Sequence, residues 1–333
     1  MKRVLIVRLD AIGDYILFRN VFRFIRRSEK YRDSEITLFG NPAWRGIAEA
    51  YDSDCADNWI WADNRNELFR NSHENLLPDC IWHRRVCRAQ SVWRDKLRGR
   101  FDEVLSLQAF RDPLLDEFVS GLAPVVVNGW ELPQGDSPFV FYRNCFIASA
   151  LTGENCSVPL ELKVCNAAKS KGILFFTGGS HWTKRWPMRR WRELESLLPS
   201  GYSPLYAVTD GTLPDFIKVV SSVSAVVSND TMAAHVAVAL GVPCVTIANG
   251  TTGKDVFWPY PESLSKRQQT VSPKVRRLPQ IIPKLVRERL ELYLSIASIP
   301  AKTVAESVSK VLGEAYIQAK ERHVAYNAMH GGL

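Results

Sequence analysis

Three short polar stretches of the sequence combine residue types suited to binding a phosphorylated ligand and moving a proton. The first, Arg8–Asp14, ends in Gly13 and Asp14; the second, Thr177–Pro187, holds two glycines followed by a lysine and an arginine; the third is Ser228–His235. Each follows a short apolar run and precedes a helical pattern, the order of strand, turn and helix. Because open α/β sheets bind ligands beyond the carboxyl ends of their strands, we expect binding sites at these turns.

The third stretch is typical of a helix start that binds an anion. Asn229 or Asp230 is suited to cap the helix, which would leave the backbone N–H groups of Thr231 and Met232 pointing out of its first turn. Such N–H groups and the helix dipole favour a phosphate or diphosphate, and His235 lies one turn further on. The same residues also fit an ordinary capped helix with a half-buried histidine.

The second stretch predicts a pocket for a diphosphate leaving group. Gly178 and Gly179 give a ligand close access to backbone N–H groups, and Ser180 follows them. Lys184 and Arg185 would hold the diphosphate and neutralise its charge as it departs. The glycine spacing matches neither the Walker A loop nor the dinucleotide-binding fingerprint.

The first stretch supplies a candidate proton acceptor at the start of a predicted helix. Gly13 lets the backbone bend closely, and Asp14 stands beside it. The alternative is that Asp14 is only the N-cap of the helix, a contribution of about 1 kcal/mol. One carboxylate in the first half of the chain and two anion sites in the second suit transfer of a sugar from a nucleotide diphosphate.

Length and patterning predict an α/β protein of two domains. A chain of 333 residues is longer than a single hydrophobic core usually supports. Its composition, 46% hydrophobic and 23% charged residues, is typical of globular proteins. Alternation of short apolar strands with helices implies open parallel sheets with helices on both faces. We expect an N-terminal domain over 1–155, a C-terminal domain over 156–315, and a tail over 316–333.

The individual elements follow from the periodicity of apolar residues. Strands are predicted over 3–7, 36–39, 57–61, 101–107, 125–127, 173–176, 205–208, 225–227 and 244–247. Helices are predicted over 15–27, 83–100, 141–151, 188–198, 213–220, 286–296 and 303–312. Two more are predicted, one opened by Asn41-Pro42 and one leaving the third stretch through Val236 to Leu240. The linker between the domains is expected near 155–163.

The formal net charge of +8 is unevenly distributed. Residues 83–100 hold seven arginines and lysines against Asp95 alone, with Trp82 just before the cluster and Trp93 inside it. Such a surface attracts nucleic acid, anionic lipid or a phosphorylated substrate, whereas the alternative is a solvated helix face.

The sequence predicts a cytoplasmic protein without a metal site. The N-terminus has only four apolar residues between charges, too few for a signal peptide, and no apolar run is long enough to span a bilayer. Seven cysteines, with no Cys-x-x-Cys pair, are interpreted as free thiols in a reducing compartment.

These three stretches resemble those of glycosyltransferase family 9, the lipopolysaccharide heptosyltransferase family. The likeness is carried by Arg8–Asp14, by Lys184–Pro187, and by Ser228–His235 with Ala239–Pro243, in the family's order and spacing over about residues 1–315. It implies the GT-B fold, with two facing Rossmann-like domains, and inverting transfer that needs no cofactor or metal. The implied partners are a nucleotide-diphosphate sugar as donor, with heptose among the candidates, and a lipopolysaccharide or other glycan or glycolipid acceptor at the inner membrane face. An anionic membrane surface is a further expected partner, and nucleic acid is not.

Residue types and resemblance together predict a role for each candidate site residue. Asp14 is expected to be the general base. Donor binding is expected from Gly178, Gly179, Ser180, Lys184, Arg185, Asp230, Thr231, Met232 and His235. Acceptor binding is expected from Gly13, Arg84, Arg85, Arg88 and Arg111.

Three departures from the family pattern leave the nucleotide and the sugar open. Met232 stands where the family usually has glycine, 198–206 is shorter than the family's helix–strand segment, and 251–260 looks more like a polysaccharide-synthesis subgroup. The alternatives are a nucleotide-sugar epimerase of the same fold, an inactive transferase and a basic nucleic-acid-binding protein. Donor incubated without acceptor separates the epimerase, and a salt-dependent gel shift tests nucleic-acid binding.

Overall fold

The chain forms two compact units, Met1–Leu160 and Glu161–Leu333, each built on one five-stranded sheet. The computed structural model describes residues 1–62, 79–164, 169–207, 211–248, 256–274, 277–282 and 284–313, with no side-chain description for 79–87 and 285. The division between the units falls inside the stretch 155–163, and the predicted tail over 316–333 lies outside the described residues. In both sheets every described strand pair is parallel, which confirms the predicted α/β class.

The N-terminal unit has the strand order β3-β2-β1-β4-β5. Its strands are β1 (Arg3–Arg8), β2 (Glu35–Gly40), β3 (Asn58–Trp61), β4 (Glu103–Ser106) and β5 (Val125–Asn128). Its α-helices are α1 (Ile12–Arg27), α2 (Arg45–Tyr51), α3 (Asp79–Leu97), α4 (Pro113–Val119) and α5 (Val140–Thr152). The central strand β1 is buried from Val4 to Arg8 because a parallel sheet is covered on both faces, so its apolar residues run on without alternation.

The C-terminal unit has the order β10-β9-β8-β6-β7. Its strands are β6 (Gly172–Phe176), β7 (Ser203–Tyr206), β8 (Ala225–Asn229), β9 (Cys244–Ile247) and β10 (Gln268–Val271). Its α-helices are α6 (Met188–Glu195), α7 (Leu213–Ser222), α8 (Met232–Ala239), α9 (Lys284–Ala297) and α10 (Ala301–Leu312). The short segment over 198–206 ends in β7, which is the edge strand of this sheet.

Helix α1 is anchored to the N-terminal unit by a buried polar cluster. Asp52 is fully buried and accepts hydrogen bonds from the hydroxyl of Tyr15 at 2.7 Å and from Nε of Arg19 at 3.0 Å. Nη2 of Arg19 also lies 2.5 Å from Asp52, and Arg23 adds a third cationic contact. Burial of a carboxylate is costly unless its oxygens are satisfied, and here several donors converge on it. The cluster therefore fixes the helix whose first turn carries Asp14.

In each sheet the strand order reverses direction between two inner strands. The N-terminal chain runs outward from β1 through β2 to β3, and then from β4 to β5 on the other side. The C-terminal chain places β7 on one side of β6, and β8, β9 and β10 on the other. The crevices beyond the carboxyl ends of β1 and β4, and of β6 and β8, are therefore the switch points at which open α/β sheets bind ligands.

Candidate functional site

The second and third polar stretches meet at the switch point of the C-terminal unit. Lys184 ends the short 3-10 helix Trp182–Lys184 after β6, and Asp230 directly follows β8. Nζ of Lys184 lies 3.1 Å from Oδ2 of Asp230, and both side chains are mostly buried, with 17% and 7% of their surface exposed. The fold thus brings together two charged residues that are 46 positions apart in the sequence.

Asn229 joins the same two stretches through its side-chain amide. Its Oδ1 accepts a hydrogen bond from the backbone N–H of Trp186 at 3.1 Å. Its Nδ2 donates to the carbonyl oxygens of Thr177 at 2.8 Å and Gly178 at 2.9 Å. This fully buried side chain therefore holds the glycine turn against the end of β8.

The predicted N-cap of the third stretch is wrong by one or two residues. Helix α8 begins at Met232 and its N-cap is Thr231, whose Oγ1 accepts from the backbone N–H of Ala233 at 3.4 Å. Asn229 and Asp230 are both suited to capping. Here Asn229 is still in strand β8, and the carboxylate of Asp230 is directed to Lys184 instead.

Trp258 and Tyr260 extend the charged pair into a buried aromatic cluster. The indole Nε1 of Trp258 donates to Oδ1 of Asp230 at 2.8 Å, so both carboxylate oxygens of Asp230 are bound. The ring of His235 stacks on Trp258 at a centroid distance of 4.7 Å and an interplanar angle of 16°. Nδ1 of His235 lies 2.6 Å from the hydroxyl of Tyr260. Neither aromatic residue was predicted from the sequence to belong to the site.

His235 is buried rather than half-buried, and its surroundings keep it neutral. Burial lowers its pKa from 6.5 to about 4, with the charge of Asp230 acting to raise it and that of Lys184 to lower it. Burial also raises the pKa of the Tyr260 hydroxyl well above 10. At neutral pH the pair is therefore an uncharged imidazole next to an intact phenol.

The remaining predicted donor residues lie in the loop after β6 and at the start of α8, the two stretches that the Lys184–Asp230 pair connects. Arg185 is exposed and donates from Nε and Nη2 to the carbonyl oxygen of Gly179, at 3.2 and 3.0 Å. Gly178 is partly buried, Ser180 is exposed, and Met232 is the partly buried first residue of α8. A Cβ on Gly178 would lie 3.2 Å from the ring of Phe176. Glycine at this position therefore lets the loop lie close against strand β6.

The first polar stretch lies at the switch point of the N-terminal unit. Asp14 is the third residue of α1, and its Oδ2 accepts from the backbone N–H of Ala11 at 3.2 Å. The N-cap position belongs to Ala11, so Asp14 supports the helix start from inside its first turn and is not its N-cap. Its carboxylate is partly buried at the carboxyl end of β1.

Arg8 is a buried cation of this stretch that the sequence reasoning missed. Its Nε lies 2.7 Å from Oδ2 of Asp10, and its Nη1 donates to the carbonyl oxygen of Leu107. Its guanidinium also lies 4.0 Å from the ring centre of Phe18. Because Leu107 follows β4, Arg8 links the two sides of the switch point. A charge at the end of an otherwise apolar strand is the sequence signal that could have identified it.

The predicted acceptor residues are placed less closely together. Gly13 is buried in the first turn of α1, Arg88 is exposed on α3, and the side chains of Arg84 and Arg85 lie outside the described residues. Arg111 follows β4, pairs through Nε with Asp116 at 3.2 Å, and lies 4.9 Å from the ring centre of Trp130. Arg111 therefore shares the carboxyl-end edge of the N-terminal sheet with Asp14, whereas Arg88 belongs to a helix beside the sheet.

Three findings concern metal ligands, cysteine thiols and membrane-spanning helices. Among the residues that the structure describes, no group of three or more His, Cys, Asp or Glu side chains is placed to hold a metal ion. The cysteines at positions 55, 145, 156 and 244 are buried free thiols. None of the helices in the described ranges is long and apolar enough to cross a membrane.

Residues 209–280 match the family model described as glycosyltransferase family 9 (heptosyltransferase). The matched segment runs from the approach to α7 to beyond β10, and it includes Ser228–His235 and both aromatic residues of the cluster. None of the curated proteins compared with the chain matches it.

Solved structures share the fold over nearly the whole chain. The glycosyl transferase family 9 protein from Veillonella parvula is 15% identical, with a TM-score of 0.63 over 94% of this chain and 98% of its own. The heptosyltransferase WaaC from E. coli, solved with ADP, is 14% identical, with a TM-score of 0.62 over 93% and 99%. The ADP-heptose lipopolysaccharide heptosyltransferase II from E. coli is 19% identical, with a TM-score of 0.56 over 94% and 98%. At these identities the likeness establishes the fold.

The fold is that of the GT-B glycosyltransferases, two α/β units with parallel sheets, which confirms the predicted fold class. The family match, together with these structural neighbours, indicates a heptosyltransferase-like glycosyltransferase. The resemblance to glycosyltransferase family 9 noted in the sequence is supported by the family match over 209–280.

Proposed function

We propose that this protein transfers a sugar, with inversion, from a nucleotide-diphosphate donor to a glycan acceptor. The observation that carries the proposal is the contact between Lys184 and Asp230 across the switch point of the C-terminal sheet. A charged pair at this position, next to a helix start and a glycine turn, is suited to a diphosphate. The donor site therefore lies in the C-terminal unit.

Lys184 is the principal diphosphate ligand in this proposal. An ammonium group carries three N–H donors, and one of them accounts for the contact with Asp230. The others are directed to the phosphate oxygens, with Arg185 and the N-terminus of α8 adding positive potential. Because Asp230 balances the charge of Lys184, these further cationic groups are needed to neutralise a departing diphosphate.

Asp14 acts as the general base. The acceptor hydroxyl oxygen attacks the anomeric carbon while the bond from that carbon to the diphosphate oxygen breaks, and the hydroxyl proton passes to the Asp14 carboxylate. A single displacement of this kind inverts the anomeric centre. No metal ion takes part in this proposal, because Arg185 and the N-terminus of α8 neutralise the leaving group while Lys184 donates hydrogen bonds to it. Full activity in the presence of a chelator is the expected result.

The acceptor is a lipopolysaccharide or another anionic glycan or glycolipid. Arg111 offers a guanidinium that is 63% exposed at the carboxyl-end edge of the N-terminal sheet, and its stacking on Trp130 gives it a fixed orientation. Gly13 lies next to Asp14 in the first turn of α1, and Arg84, Arg85 and Arg88 supply further positive charge. An acceptor bearing phosphate or carboxylate groups complements this set.

The test uses a panel of nucleotide sugars, with ADP-heptose as the first donor because heptosyltransferase relatives were solved with ADP and an ADP-heptose analogue. Each donor is incubated with the protein, with and without lipopolysaccharide fragments, and nucleoside diphosphate release is measured. The proposal predicts release that depends on the acceptor. Isomerised donor in the absence of acceptor would point to an epimerase instead, and no turnover with any donor would contradict the proposal.

A further inference from the structure

The segment that carries Trp258 and Tyr260 encloses the charged pair from one side. Both side chains are buried, with exposed fractions of 6% and 5%. Their two hydrogen bonds lead to Asp230 and His235, the acidic and the basic residue of the third stretch. The backbone N–H of Tyr260 is in turn bound by Oε1 of Gln268, at 3.3 Å, in strand β10. The segment is thus fixed at both ends, by the sheet and by the site.

The hydrogen bond from Trp258 to Asp230 affects the orientation of the charged pair. A carboxylate with one free oxygen can rotate to offer both oxygens to a neighbouring ammonium. In this structure the indole N–H of Trp258 binds Oδ1 at 2.8 Å while Lys184 binds Oδ2, so a rotation of the carboxylate would break the bond to Trp258. The orientation of Asp230 therefore depends on Trp258, and the direction of the Lys184 ammonium depends on Asp230.

The stacked imidazole of His235 restricts Trp258 in turn. An interplanar angle of 16° at 4.7 Å is a parallel stack, and the hydroxyl of Tyr260 fixes the imidazole by its Nδ1. The indole has little freedom to turn its N–H away from Asp230. The cluster is therefore built to hold one carboxylate in one orientation.

We propose that Trp258 is a positioning residue of the donor site: its indole N–H fixes Asp230, which directs the Lys184 ammonium to the donor diphosphate. This inference rests on the proposed function for the identity of the ligand. The link from Trp258 to Lys184 is a property of the protein alone, so the two claims are separately testable.

The binding test is a double-mutant cycle with Trp258→Phe, Lys184→Met and the double variant, titrated with ADP and the other common nucleoside diphosphates. Phenylalanine keeps an aromatic ring against His235 but removes the N–H. Loss of a hydrogen bond to a charged group should weaken binding about tenfold in the otherwise unchanged protein. In the Lys184→Met background the same change should cost less than about twofold, because its effect passes through Lys184.

A matched control is Trp191→Phe. Trp191 is fully buried in the same unit, and its Nε1 donates at 3.1 Å to the backbone carbonyl of Trp186. This variant also loses an indole hydrogen bond, but Trp191 has no contact with Asp230 or Lys184 among its described bonds. We expect unchanged nucleotide affinity. Equal losses for Trp258→Phe in the two Lys184 backgrounds would overturn the proposal, since a merely structural role acts independently of Lys184.

A second measurement needs no ligand. In a ¹H–¹⁵N spectrum of the protein, the indole signal that disappears in Trp258→Phe belongs to Trp258, and that of Trp191 is assigned in the same way. We expect Lys184→Met to move the Trp258 signal and leave the Trp191 signal in place. An unmoved Trp258 signal would overturn the inference. A moved signal in a protein that binds no nucleoside diphosphate would preserve the positioning role and contradict the proposed function.

Discussion

At the scale of single residues, His235 makes the protein sensitive to acid. Its pKa is lowered by burial to about 4, whereas the unfolded chain has a histidine of pKa 6.5. Below pH 6.5 the unfolded state takes up a proton that the folded state does not, so stability falls as the pH falls towards 4. Stability is fully present above pH 6.5. We expect a loss of roughly 2–3 kcal/mol from this residue between pH 6.5 and 4.5.

The matching variant is His235→Asn, whose amide oxygen can still accept from Tyr260 but does not titrate. Urea unfolding at pH 7 and pH 4.5 should show a smaller acid-dependent loss for this variant than for the parent protein. Equal losses would show that the histidine titrates normally, in conflict with its buried position.

Asp14 is the residue whose replacement should affect turnover most. Asp14→Asn should lower turnover by about 10²–10⁴, which is the usual effect of removing a positioned base. Donor affinity should stay unchanged because the proposed donor site is in the other unit. An asparagine oxygen can still accept from the N–H of Ala11, so the helix start and the melting temperature should be preserved. Turnover at the parent rate would show that Asp14 serves only the helix start.

At the scale of elements, apolar periodicity predicted most strands and helices to within a few residues. It missed helix α4, whose seven residues are short for a helical period, and the edge strand β10, whose sequence Gln-Gln-Thr-Val is mostly polar. It also placed the strand of 205–208 two residues late; β7 covers Ser203–Tyr206, and residue 208 lies outside the described ranges. An edge strand has a neighbouring strand on one side only and is less buried than an inner strand. Its sequence therefore lacks the continuous apolar run by which inner strands are recognised.

Helix α3 is the element for which a membrane role is expected. Its 19 residues include five of the seven basic residues of 83–100, with Arg98 and Arg100 beyond its end, and Lys96 lies 4.4 Å from the ring centre of Trp93. Replacing Arg84, Arg85 and Arg88 with glutamine should weaken binding to anionic liposomes by about 1 kcal/mol per charge near the surface. The effect should fade with salt, because the Debye length is only about 8 Å at physiological ionic strength.

A control with the same loss of charge comes from exposed lysines of the C-terminal unit, replaced by glutamine at positions 163, 302 and 310. This variant should keep its liposome affinity if α3 forms the binding surface. Equal flotation of the α3 variant and the parent protein at low salt would identify a merely solvated helix face.

At the scale of the whole molecule, the two sheets repeat one arrangement. Each has five parallel strands with a reversal of order next to its first strand, and each places a sequence-predicted stretch at that reversal. The sequence predicted these stretches because charged and glycine-rich turns after apolar strands are local signals. The contacts that complete the sites are not local: Trp258 lies 28 residues from Asp230, and Arg8 lies 99 from Leu107. No spacing rule links such pairs, so only the folded chain identifies them.

A diphosphate site at Lys184 is tested most directly by calorimetric titration of the whole protein with nucleoside diphosphates. Lys184→Ala is compared with Lys218→Ala, in which an exposed lysine paired with Asp215 on α7 is lost instead. Removing a charged hydrogen-bond donor from the site should raise the Kd roughly 10- to 100-fold, and the Lys218 variant should bind as the parent does. Equal affinity of Lys184→Ala and the parent protein would show that Lys184 does not bind the diphosphate.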